Sequence, residues 1–122
     1  MTAIEFIKCI KQVVYDSSVN GCVSLLQKPP GRKPSEKLVE LSRYVNQLSE
    51  YDKEMMYSII KLASSQAIFG LLAVIDGVRQ FEDSESKGSF DLRFNKDGNS
   101  VIINDPNEEY LHDLFNQQVP PM

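Results

Sequence analysis

The segment AIFGLLAVIDG, residues 67–77, begins with nine residues that carry no polar side chain. Eight of these nine residues, 67–75, are apolar, and the ninth is Gly70. The segment before it, from Ser49 onward, has apolar residues at helical spacing. Ser49 ahead of an acidic turn is typical of a helix N-cap, and Gly77 is typical of a helix end. These signals predict one long central helix. Because a helix that is apolar on every side must be covered on every side, we expect other elements or a second copy of the chain to enclose it.

Composition predicts a single globular domain. The chain has 122 residues, of which 42% are hydrophobic and 25% charged, as in ordinary globular proteins. The net charge of -4 and the pI of about 5.0 provide no basic field, which disfavours nucleic acid as a partner. We predict one domain over residues 1–122, with a helical part at about 2–77, a hairpin and last helix at about 78–117, and a tail at 118–122.

The sequence also predicts a cytoplasmic protein without a membrane span. The opening MTAIEFIKCIK lacks the basic segment and continuous apolar run of a signal peptide. The longest apolar run, 67–75, is shorter than the roughly 20 residues that a spanning helix needs. Cys9 and Cys22 are too few for a disulfide framework and lack metal-ligand spacing, so we expect buried free thiols.

Capping signals predict three helices before the central one. Thr2 and Glu5 form the pattern of a capping box, which begins a first helix ending at about residue 15. The polar residues 16–18 offer N-cap oxygens to a second helix near 18–27, and Ser35 is placed to cap a third that ends near residue 48. The apolar stripe predicted for the first helix comprises Phe6, Ile10, Val13 and Val14.

The segment KPPGRKPS, residues 28–35, separates the second and third predicted helices. It faintly resembles an AT-hook, a short motif that binds the DNA minor groove, but Lys33 separates Arg32 from the proline that should follow it directly. Its proline spacing does not suit an SH3 ligand, and its single glycine does not suit a phosphate loop. Because proline excludes a helix here, we favour a stiff corner between helices.

A β-hairpin is predicted near the C-terminus, since Asp97-Gly98 between alternating residues is typical of a two-residue type I′ turn. Counting outward from that turn gives the pairs Phe94–Val101 and Leu92–Ile103 on one face, and Arg93–Ile102 and Asp91–Asn104 on the other. The apolar pairs coincide, which favours this register.

The remaining elements complete the predicted fold. Residues 78–82 suit either a short strand or a helical extension, and Asp105 followed by Pro106 predicts the start of a last helix. Its buried stripe comprises Tyr110, Leu111, Leu114 and Phe115. The fold class is therefore α+β and predominantly helical: four N-terminal helices around a buried central helix, then a small antiparallel β-hairpin or three-stranded meander, and a C-terminal helix.

The candidate site lies after the central helix. Asp76 and Arg79 would pair at its terminus, as a ligand site or, as we favour, a salt bridge within a turn. His112 is the single histidine, and its sequence neighbour Asp113 would not face it on a helix. No nucleophile elbow or zinc-protease motif is present, so we predict no catalytic residue, metal ligand or cofactor. The candidate interaction or ligand surface comprises Asp76, Arg79, Arg93, Ile102 and His112.

Three stretches resemble a small family of bacterial proteins: PPGRKPSEKLVELSRYVNQLSEYDKEMM at 29–56, FGLLAVIDGVR at 69–79 and NDPNEEYLHDLF at 104–115. The resemblance covers most of the chain. It implies a bacterial cytosolic protein and supplies no activity, cofactor or site residue.

Two classes of function are consistent with these features. The favoured one is a non-catalytic protein-interaction module, such as an acidic partner or an inhibitor of the immunity-protein kind. The alternative is a small enzyme or ligand binder whose site joins Asp76, Arg79 and His112 in a polar pocket. A homodimer that buries Ile102 or a sheet edge is favoured over a monomer, because unpaired edges and the central helix both need cover.

Overall fold

The computed structural model describes residues 1–83 and 85–122. It is a mixed helical and β structure in which an antiparallel hairpin is inserted between the fourth and fifth α-helices. The elements are α1 (Ala3–Cys9), a π-helical segment (Ile10–Asp16), α2 (Ser17–Gln27), α3 (Glu36–Asn46), α4 (Glu50–Ile75), β1 (Arg93–Lys96), β2 (Asn99–Ile102) and α5 (Leu111–Gln118).

The first two predicted helices are one continuous helix, and the predicted break at residues 16–18 is wrong. Asp16 and Ser17 both have right-handed helical backbone angles, and the chain passes between α1 and α2 through the π-helical segment. Because a π-turn closes over one residue more than an α-turn, side chains after it point in other directions than a 3.6-residue period predicts. Val13 of the predicted stripe is therefore exposed, whereas Tyr15 packs on the core.

Three of the predicted helix N-caps are confirmed, and in each the capping side chain accepts a hydrogen bond from the N–H three residues later. The Thr2 hydroxyl accepts a hydrogen bond from the Glu5 N–H at 3.1 Å, and the Glu5 carboxylate accepts one from the Thr2 N–H at 3.0 Å. Ser35 caps α3 and Ser49 caps α4 in the same way. Residues 28–34 lie outside any helix, as predicted for the stiff corner.

The largest hydrophobic core lies at the C-terminal half of α4. It unites residues from α1, α4, α5 and the residue after β2. Its buried members are Ile7, Leu72, Ile103, Leu111, Leu114 and Phe115. The N-terminal half of α4 packs against α2, which in turn packs against α3. Along its N-terminal half, α4 is therefore covered mainly from the side of α2.

The hairpin has the predicted register, with Arg93 opposite Ile102 and Phe94 opposite Val101. Asp97 and Gly98 both have positive φ angles, of 51° and 78°, as a type I′ turn requires. Within the described residues there are two strands, and residues 78–82 form neither a strand nor a helical extension.

The last helix begins later than predicted. Asp105 and its neighbours form an isolated turn, in which the Glu108 N–H donates to the Asp105 carbonyl at 3.0 Å, and α5 starts at Leu111. Tyr110 is consequently the residue before the helix and is exposed, so it is not part of the buried stripe. The predicted burial of Cys9 is also wrong: Cys9 is exposed and Cys22 is half-buried, and both are free thiols.

Candidate functional site

Asp76 connects the end of α4 with the beginning of α5. One carboxylate oxygen accepts a hydrogen bond from the Leu111 N–H at 3.1 Å. The other accepts one from the His112 N–H at 2.9 Å and lies 2.6 Å from the ring nitrogen Nδ1 of His112. Both side chains are largely buried, with 2% of Asp76 and 12% of His112 exposed. Asp76 thus serves as the N-cap of a helix that lies far from it in sequence.

The His112 ring contacts two aromatic side chains and two carboxylates. It stacks on Tyr110, meets Phe69 edge to face at 5.3 Å between ring centres, and its Nε2 lies 3.4 Å from a carboxylate oxygen of Asp113. A nucleophilic relay requires a hydroxyl or thiol at the free ring nitrogen. Here that nitrogen faces the Asp113 carboxylate, so the prediction that these two neighbours do not face each other is wrong. The arrangement is that of a structural clamp between α4, α5 and the preceding loop.

Arg79 does not pair with Asp76, so the predicted turn salt bridge is wrong. The Arg79 guanidinium instead folds back over Gly70 on α4, where a Cβ would lie only 2.5 Å from Nη1. Asp76 is already engaged by α5, which explains the absence of the pair. Arg79 lines an open cavity of about 200 Å³ with Phe69 and Asn116. Asp76 and His112 do not line that cavity, so no pocket joins the three candidate residues there.

Arg93 and Ile102 lie opposite each other on the outer face of the hairpin. The Arg93 guanidinium reaches the Ser100 hydroxyl at 3.5 Å, and Ile102 is 36% exposed. Within the described residues, no hydrogen bond or ion pair joins Arg93 or Ile102 to Asp76 or His112. Within residues 1–83 and 85–122, no cluster of three or more potential metal ligands is found.

The most unusual surface of the molecule lies on α4, which the elements of this chain do not enclose on every side, so the first of the two predicted forms of enclosure is wrong. Six residues spaced four apart are all exposed, and we call them the α4 ridge: Tyr51, Met55, Ile59, Ala63, Ala67 and Leu71. Tyr51, Ile59 and Leu71 are 67%, 64% and 61% exposed, and Met55 is 43% exposed. Isolated exposed apolar residues are normal, but a continuous row of them on the longest helix is not.

The ridge follows from the way in which α4 packs. A row of residues at i, i+4 and i+8 advances around the helix by roughly 40° per step and forms one of the ridges through which helices pack. Over the five steps from Tyr51 to Leu71 the row turns by roughly 200°, so these two residues lie on nearly opposite sides of α4. The four residues between them lie within roughly 120° and share one face: Met55, Ile59, Ala63 and Ala67. The core contacts the opposite side of α4 near Leu72, and α2 contacts the N-terminal half. No element of the described chain lies across the ridge in a way that buries its six residues.

The helix α4 is also long and apolar enough to resemble a membrane-spanning helix. An 18-residue window of α4 has a mean hydropathy of 1.8, and only 17% of that window is buried. By length and composition alone the helix could cross a bilayer, although core helices of soluble proteins meet the same criterion. This finding alone does not establish where the protein is located.

Sequence reasoning identified the apolar character of α4 but not its exposure. Apolar residues on all sides of a helix indicate full enclosure by this chain or partial enclosure by a second copy. The signal in the sequence that points to the exposed side is the row of six residues spaced four apart, from Tyr51 to Leu71, which contains no charged residue.

Comparison of the chain with protein-family models, with curated proteins and with solved structures gives no match. Function is therefore inferred from the residues and their geometry alone.

Proposed function

We propose that the chain is a non-catalytic protein-interaction module of the cytosol and that the α4 ridge is its binding surface. The observation that supports this most strongly is the exposure of Ile59 and Met55, 64% and 43%, among the four ridge residues that share one face of α4. Exposed apolar surface that is contiguous costs free energy in water, and on a monomeric protein it marks a binding site.

The polar candidate residues support this choice over an enzyme. The buried carboxylate of Asp76 already accepts hydrogen bonds from two backbone N–H groups and neighbours Nδ1 of His112. It has little capacity left for a substrate. Arg79 lines two cavities, of about 200 Å³ and about 350 Å³, and neither is lined by Asp76 or His112, so neither joins the three candidate residues.

The ridge also defines the chemistry of the partner. It offers one aromatic, three aliphatic or thioether and two small side chains, and no charged residue lies within the row itself. Tyr51, Met55 and Ile59 are suited to enter an apolar groove, whereas Ala63 and Ala67 allow a partner backbone to come close. An amphipathic helix with an apolar stripe is the partner that fits such a row.

Site-specific photo-crosslinking in cells tests this proposal. A photoreactive phenylalanine analogue is placed at Ile59 in one variant and at Lys37 in a matched control. Lys37 is an exposed residue of α3, remote from the ridge in sequence. We expect the variant at 59 to form a discrete covalent adduct with a protein and the variant at 37 to form none.

The adduct at residue 59 also distinguishes the classes of partner. A protein adduct at 59 that is absent at 37 supports the interaction module, whether the captured chain is a second copy or another protein. Lipid adducts alone, or equal labelling at 59 and 37, would contradict it.

A further inference from the structure

We infer that the partner of the α4 ridge is a second copy of this chain, packed antiparallel around a two-fold axis at the level of Lys61. This inference rests on the proposed function, because it names the partner of the same surface. The two halves of the ridge differ in size in a way that makes the row complementary to itself.

Side-chain size is the first argument. A two-fold axis at Lys61 places each ridge residue opposite the one equally far from Lys61 on the other side. The resulting contacts across the interface are Met55 with Ala67 and Ile59 with Ala63, whereas Tyr51 and Leu71 point away to opposite sides of the interface. The two contacts thus pair a large side chain of one copy with an alanine of the other. Large-to-small contacts of this kind allow two helices to interdigitate without voids or clashes.

Charge is the second argument. Asp52 and Gly70 are also equally far from Lys61, and they point in the same direction because about five helical turns separate them. The Arg79 guanidinium lies over Gly70. The antiparallel arrangement therefore brings the Asp52 carboxylate of each copy toward the Arg79 guanidinium of the other. Neither side chain makes an ion pair within the described residues, so both charges are available.

Helix dipoles act in the same direction. In antiparallel helices the positive N-terminus of one copy lies beside the negative C-terminus of the other, which is favourable, whereas a parallel pair aligns like ends. A parallel pair would also place Ile59 against Ile59 and Ala67 against Ala67, which brings large residues together and leaves a gap between the small ones.

The size of the surface sets the expected affinity. The ridge is roughly 30 Å long and about one helix diameter, roughly 10 Å, wide. That strip is smaller than the roughly 800 Å² per partner of a standard stable interface. We therefore expect a dimer that dissociates in the micromolar range rather than a permanent one.

Disulfide trapping tests the arrangement. Both native cysteines are replaced, as Cys9→Ser and Cys22→Ser, and Met55→Cys and Ala67→Cys are made separately in that background. Residue 55 of one copy should face residue 67 of the other, whereas the two copies of residue 55 should be roughly 18 Å apart along the helix. Since a disulfide requires Cα atoms within about 7 Å, only the mixture of both variants should crosslink efficiently under mild oxidation.

A mixed disulfide formed several-fold faster than either self-disulfide supports the antiparallel dimer. Efficient self-crosslinking of each variant alone would indicate a parallel pair, and no crosslinking above that of a Lys37→Cys control would indicate no dimer through α4. Either result overturns the inference. If the photo-crosslinking experiment captures a protein other than this chain, the inferred dimer is wrong, but the proposed interaction module still holds. Circular dichroism of each variant verifies that it is folded.

Discussion

Asp76 joins two helices that are 35 residues apart in sequence, because its carboxylate accepts hydrogen bonds from the first N–H groups of α5. Replacing it removes these bonds and leaves buried donors without partners. Since α5 supplies Leu111, Leu114 and Phe115 to the core, the position of the last helix depends on this single carboxylate.

Asp76→Ala should therefore destabilise the protein by about 2–4 kcal/mol, the sum of a lost cap and unsatisfied buried groups. Asp105→Ala is the matched control. The Asp105 carboxylate accepts one hydrogen bond among the described residues, from the Asn107 N–H of a local turn, so loss of this side chain should cost less than about 1 kcal/mol. Urea unfolding measures both. Equal losses would mean that Asp76 does not hold α5 in place.

Ser35 offers a second test at this scale. Its hydroxyl accepts a hydrogen bond from the Leu38 N–H at 3.2 Å, so Ser35→Ala should cost about 1 kcal/mol. Arg32→Ala with Lys33→Ala removes two exposed charges and should leave the melting temperature nearly unchanged. If the double substitution abolished a cellular function while stability held, the interpretation of KPPGRKPS as a corner would be wrong.

The difference between these two caps explains which residue roles the sequence could predict. Ser35 caps a residue three positions away, so the local pattern contains all the information. Asp76 reaches a helix that only the tertiary fold brings near, and the same is true of Asn104, whose amide donates to the Ile75 carbonyl at 3.0 Å. Neither contact has a local signature.

At the scale of elements, α4 has two sides with opposite surroundings. Leu72 is 3% exposed and belongs to the core, whereas its neighbour Leu71 is 61% exposed and belongs to the ridge. The apolar run in the sequence does not distinguish the two, because both are leucines in a segment without polar residues.

Leu72→Ala should therefore destabilise the monomer by about 2–5 kcal/mol, as a buried leucine does. Leu71→Ala should cost less than about 1 kcal/mol at concentrations where the chain is monomeric, because little buried surface is lost. Chemical unfolding of the two variants provides the comparison. A loss of more than about 2 kcal/mol at Leu71 would show that this part of the ridge is covered within one chain.

The elements that sequence reasoning described correctly have local and periodic signals, and those it missed do not. The hairpin register followed from the turn at Asp97-Gly98, which fixes every pair outward from it. The π-helical segment has no comparable signal in the capping or periodic pattern of the sequence. For that reason a period of 3.6 residues wrongly places the exposed Val13 on the buried stripe.

At the scale of the whole molecule, the C-terminal part of α4 is fixed by α1, α5 and the hairpin, while the ridge faces outward. The Asp76–His112 clamp and the ridge are thus different parts of the same helix, one structural and one available for binding. This division explains why α4 is apolar on the side of the core and on the side of the ridge. We infer that the ridge joins two copies of the chain.

Sedimentation equilibrium from the low micromolar to the high micromolar range tests that claim most directly. The wild-type chain should shift from monomer to dimer with concentration. Ile59→Glu should remain monomeric with a nearly unchanged free energy of unfolding, because Ile59 is exposed within one copy. Ile102→Lys, on the outer face of the hairpin, should dimerise like the wild type. A wild-type chain that stays monomeric throughout, or a dimer lost with Ile102→Lys and retained with Ile59→Glu, would contradict the account.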